Sequence, residues 1–120
     1  MKKEFKTEIE IEDKKYNLCF DLNVMEEIQE EYGTFDKWGE LTDGEKGEVN
    51  VKALIFGVTA MLNEGIDIEN EENKDNKDYI KKEFFTTKQV GRLMTKLGIS
   101  EMAGKMNEAV VKSVKSEQKN

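Results

Sequence analysis

Carboxylates stand side by side at Glu26-Glu27 and again at Glu30-Glu31. Paired acids can do general acid–base work, but a glycosidase-type pair must face itself across a cleft at a set separation. Neighbouring acids on one helix point away from each other, so these four read as a solvated face. The acids from Asp67 to Glu72 invite a calcium reading. An EF-hand loop needs glycine at its sixth position, and counted from Asp67 that position is Glu72, so solvated acids are the better reading. Cys19 is the only cysteine and the chain has no histidine. This removes the usual general base, the commonest metal ligand, any Ser-His-Asp arrangement and a zinc site. Strand alternation puts Cys19 on a polar face with nothing to activate it, a spectator thiol. No Walker loop or G-x-G-x-x-G is present, and Gly98 to Gly104 has the wrong spacing. The residues therefore point to no catalytic, cofactor or metal site, and to a protein that is not an enzyme.

Two apolar features could serve binding. Phe35 and Trp38 lie on a short element with little room to hide both rings, and such aromatics are enriched at interfaces. Core packing at one end of the domain is the competing reading. Met102 and Met106, followed by Val110, form a face of the adaptable kind that suits varied partners, although core packing is the simpler account of methionines at helical spacing. Lys2, Lys3 and Lys6 suggest a basic arm, but Glu4 and Glu8 interrupt it.

The elements that must position these residues follow from periodicity. Phe5, Thr7, Ile9 and Ile11 alternate with Lys6, Glu8, Glu10 and Glu12, and alternation resumes with Tyr16, Leu18 and Phe20. This predicts a hairpin. With Asp13-Lys14 as its two-residue loop, Ile11 faces Tyr16, Ile9 faces Leu18 and Thr7 faces Phe20, so the apolar faces coincide. Asp21 caps a helix whose shared face is Leu22, Met25, Ile28 and Tyr32, and Gly33 stops it. Thr34 caps a short helix carrying Phe35, Trp38 and Leu41, and Thr42-Asp43-Gly44 reads as a turn. The strongest helical pattern is Val51, Leu54, Ile55, Val58, Met61 and Leu62, capped by Asn50 and stopped by Gly65. Residues 64–78 carry many acids and no aromatic ring, which predicts a mobile loop. Thr86 and Gln89 form a capping box ahead of Val90, Leu93, Met94 and Leu97. Ser100 caps a last helix with Met102, Met106, Ala109, Val110 and Val114 on its apolar face. The fold expected is α+β, an N-terminal β-hairpin packed against a bundle of about four helices. It forms one domain over residues 1–116, with 117–120 a disordered polar tail.

The totals are consistent with this. At 120 residues the chain has the size of one domain, and with 37% apolar and 38% charged residues it is polar but able to build a modest core. Its net charge of −7 and the lack of a basic stripe argue against nucleic acid or anionic lipid as a partner. No stretch approaches a membrane span, no signal peptide is expected behind Met1, and a lone cysteine suits a reducing compartment.

Taken together, the chain resembles the small tail assembly chaperones of long-tailed bacteriophages and prophages, particularly those of Gram-positive hosts. The segments that carry the resemblance are the hairpin, residues 20–30 (FDLNVMEEIQE), 53–58 (ALIFGV), the acidic stretch, 86–93 (TTKQVGRL) and 106–110 (MNEAV). The resemblance covers nearly the whole chain, mostly at core and capping positions. It implies a protein made during assembly in the cytoplasm of the bacterial host and not expected in the mature virion. Such chaperones coat the tape measure protein, keep that apolar helical chain in solution and bring tail tube protein subunits to it. Members often form rings or helical arrays, which implies a homo-oligomer. Phe35, Trp38, Met102 and Met106 are the protein-binding residues expected. Two other classes share the size and the lack of chemistry: a minor tail or head–tail joining structural protein, and a small regulator binding a host protein.

Overall fold

A computed structural model describes residues 6–118. The chain first forms an antiparallel hairpin, β1 (Lys6–Ile11) and β2 (Lys14–Cys19). The loop is Glu12-Asp13, both with positive φ (51° and 69°), as a two-residue primed turn requires. Ile9 therefore pairs with Tyr16 and Thr7 with Leu18, one pair earlier than the register expected from an Asp13-Lys14 loop. Both registers leave every side chain on the same face, because the partner moves by two residues. Hydrophobic patterning cannot separate them, and the turn decides. Phe5, the first residue of the expected alternation, lies outside the described residues, as do Lys2, Lys3 and residues 119–120.

Five α-helices follow, one more than expected if "about four" is taken literally: α1 (Leu22–Tyr32), α2 (Phe35–Thr42), α3 (Val51–Glu72), α4 (Thr87–Leu97) and α5 (Ile99–Gln118), with a 3-10 turn at Gly44–Lys46. Helix α3 packs along β2, while α5 lies on β1 and closes against α3 and α4. The core joins Ile9, Tyr16 and Leu18 of the hairpin to Val24, Ile28, Trp38, Leu54, Val58, Met61, Leu62, Val90, Met94, Met102 and Met106 of the helices. The result is a small α+β domain.

Local capping chemistry sets most helix starts. Asp21 accepts from Val24 N, Thr34 from Lys37 N and Asn50 from Ala53 N. At α4 the box is reciprocal: Gln89 N donates to Thr86 Oγ1 at 3.1 Å, and Thr86 N to Gln89 Oε1 at 2.8 Å. Gly98 (φ 102°) ends α4, and Met102 N donates to its carbonyl, so α5 begins at Ile99 with no role for Ser100 as its cap.

Four further expectations need correction. Gly65 does not stop α3. A Cβ there would collide with the Asn17 carbonyl, so the glycine lets the helix lie close on β2, and Ile66 and Asn70 are buried beyond it. Residues 64–72 are consequently helical, not part of a mobile loop, and the connection to α4 is pinned. Asn70 Oδ1 accepts from Tyr79 OH (2.6 Å) and Lys82 N (3.0 Å), and its Nδ2 donates to Lys82 O (3.0 Å). Asn63 brackets Phe85 in the same way, donating to Phe85 O (2.9 Å) and accepting from Phe85 N (2.8 Å). Cys19, expected on a polar face, is buried where β2 runs into Phe20. Finally, α5 continues to Gln118, so the two described residues of the expected polar tail are helical.

Candidate functional site

Phe35 is the first residue of α2, and the Thr34 cap fixes where that helix begins. The ring is half-buried. It meets Phe20 edge-on at 5.6 Å between centroids and Trp38 at 5.7 Å in a tilted pair. Two open cavities share it as a wall. The first, about 210 Å³, lies between Phe20, Asp21, Leu22, Met25, Phe35 and Val114. The second, about 450 Å³, runs between α2 and α5, bounded by Phe35, Trp38, Gly39, Gly104, Met106 and Val110. Small residues keep this one open: a Cβ at Gly39 or Gly104 would meet nothing within 4 Å. Helix α5 lines both cavities in turn, from Ala103 to Val114.

The first cavity is walled mainly by apolar surface, the second by a mixture of polar and apolar surface, and both are acidic at an edge. Leu22 is 76% exposed and Val114 43%. Asp21 borders the first cavity, and Asp43 and Glu45 border the second. Behind Asp21, Glu64 accepts from Asn23 Nδ2 at 3.0 Å. A hydrogen bond shared with the Asp21 carboxyl, reinforced by partial burial, raises the Glu64 pKa to about 7 despite the lowering effect of the Asn23 amide. Burial, then the charges of Asp21, Glu30 and Glu26, push Glu27 up as well.

The structure brings together three of the four residues expected to bind protein. Phe35, Trp38 and Met106 line the second cavity, whereas Met102 lies in the core away from it. The expectation of exposed contacts is corrected at three positions: Trp38 is 2% exposed, Met102 2% and Met106 5%. Trp38 can be hidden on an eight-residue helix because α3 offers a glycine beneath it, Gly57, and because its Nε1 donates to Ala53 O at 3.0 Å. Phe35 alone of the four is partly open.

Leu22 and Val114, read from the sequence as inward-facing, are the exposed apolar residues of the groove. The signal that would have found Leu22 is Val24. Helical geometry turns the chain about 100° per residue, so Leu22 lies about 200° from Val24, which is fully buried together with Ile28.

Among the described residues no group of three or more His, Cys, Asp or Glu side chains is placed to hold a metal ion, and no helix is long and apolar enough to cross a membrane. No family model matches the chain, and no curated protein or solved structure matches it.

Proposed function

We propose that this chain is a tail assembly chaperone of a long-tailed phage or prophage, one that binds the tape measure protein and brings tail tube protein subunits to it in the host cytoplasm. The family resemblance, which runs through the hairpin and four helical segments, motivates the reading. The observation that supports it is the open groove at Phe35, whose first cavity has apolar walls and two exposed aliphatic residues, Leu22 and Val114, that offer an amphipathic helix a place to lie. A chaperone for a long apolar helical chain needs such a surface.

Co-expression with a tape measure protein from the same phage or prophage tests the reading. The wild-type chain should keep its partner in the soluble fraction. Leu22→Lys should lose that activity at an unchanged melting temperature, because Leu22 is mostly in solvent already. If the wild-type chain leaves the tape measure protein aggregated, the assignment fails.

A further inference from the structure

Resting on that reading, we infer that the groove at Phe35 takes a cationic amphipathic helix of about three turns, so that the tape measure segments held by this chain are those rich in lysine or arginine on one face. The inference comes from where the charge sits. Residues 21–48 carry ten carboxylates against two lysines, a net of −8 beside −7 for the whole chain. The net negative charge of the protein thus resides in α1, α2 and the turn after them, the elements that form one side of the groove, because the rest of the chain balances 16 acids with 17 basic residues. Among the described residues no ion pair neutralises any of these carboxylates: the pairs present are Lys74–Glu71, Lys82–Glu69, Lys96–Glu12 and Lys112–Glu108.

On the α5 side the charge is mixed, with Lys105 and Lys112 close in sequence to the lining residues and Lys112 held by Glu108 at 3.2 Å. The opposite side supplies the unbalanced field. A negative rim beside the apolar first cavity and the mixed second one selects a helix with an apolar stripe and positive flanks, and disfavours one with acidic flanks. Glu27 is pushed up chiefly by burial, with the charges of Asp21, Glu30 and Glu26 adding to it. The floor sets the length. From Ala103 to Val114 α5 spans about 17 Å at 1.5 Å per residue, the length of three helical turns.

A second copy of the chain is the competing occupant. Ile80 (85% exposed) and Phe84 (56%) stand beside Lys77 and Lys81 on the connection before α4, and could offer an apolar, basic segment to the groove. That segment is not helical, so it matches the charge of the groove without matching the helical shape.

The test probes the purified full-length chain with overlapping peptides of about 18 residues, five helical turns, tiled along the tape measure protein. The peptides that bind should be amphipathic and net positive. Replacing their basic residues with glutamate while keeping the apolar stripe should weaken binding roughly tenfold or more, and added salt should weaken it too. Gly104→Leu fills the groove where a Cβ meets nothing within 4 Å, so it should abolish binding and keep the melting temperature. Several results would overturn the inference: no peptide binds, the bound peptides are neutral or acidic, or Gly104→Leu leaves binding intact. So would sedimentation showing self-association that Ile80→Lys abolishes and the bound peptides fail to displace. Rescue of the whole tape measure protein alongside binding of uncharged peptides would sink this inference and leave the chaperone reading standing. Binding of cationic peptides without any rescue would do the reverse.

Discussion

The ring of Trp38 fills the space that a side chain on Gly57 would need. Its Nε1 also donates to the Ala53 carbonyl one turn earlier on α3, so a single side chain fixes α2 to the central helix at two points. Gly57→Ala should therefore destabilise the protein by about 1–3 kcal/mol, the range for overpacking a core, although alanine is the better helix former. Trp38→Ser should cost at least about 3–5 kcal/mol, from the cavity and from the lost indole hydrogen bond. Urea midpoints measure both. A near-wild-type midpoint for Gly57→Ala would mean that the indole moves aside.

Asn63 and Asn70 act as brackets that pin an otherwise irregular segment to α3. Asn70→Ala removes the acceptor that Lys82 N and Tyr79 OH share, at a cost of about 1 kcal/mol for each of these part-buried bonds. Amide exchange should accelerate first at Lys82 and neighbouring residues, with the centre of α3 less affected. Uniform acceleration across the chain would show instead that the bracket belongs to the global folding unit.

The Glu64 carboxyl gives stability a pH dependence of known sign. Its folded pKa of about 7 lies above the ordinary value of 4.5, so between these two pH values the native state holds a proton that the unfolded chain has released. Stability from this group is fully present below pH 4.5 and is lost as pH rises through about 7. Glu64→Gln, which still accepts from Asn23, should flatten that slope and gain stability most at alkaline pH. Denaturation curves for both proteins across this window decide the matter, and parallel slopes would place the proton elsewhere.

Thr7 is 1% exposed, and its Oγ1 has no hydrogen-bond partner among the described residues. Thr7→Val keeps the shape and the strand preference while removing an unsatisfied hydroxyl. It should raise stability by about 1 kcal/mol, read as a higher melting temperature. A fall on substitution would indicate that an ordered water satisfies the hydroxyl.

Reading the exposed groove from the sequence failed at Leu22 and Val114, while reading the helix caps succeeded at Asp21, Thr34, Asn50 and the Thr86–Gln89 box. The difference is physical. A cap is completed within three residues of itself, so its evidence lies wholly in local sequence. The alternation of Thr7, Ile9 and Ile11 with acids is local in the same way, and the hairpin and the α+β class followed from it. Burial is settled by what arrives from far along the chain. Gly65 reads locally as a helix stop, and only the Asn17 carbonyl lying against it makes it a point of close approach instead. Trp38 reads equally well as a contact residue or as core, and only Gly57 beneath it makes room for the ring. The amino-acid pattern by itself determined that a hairpin precedes the helices and where α1, α2, α3 and α4 begin. The tertiary structure alone decided that α3 runs on to Glu72, that Trp38 is hidden, and that Phe35, Leu22 and Val114 meet at one groove, because each depends on a partner that no local window contains.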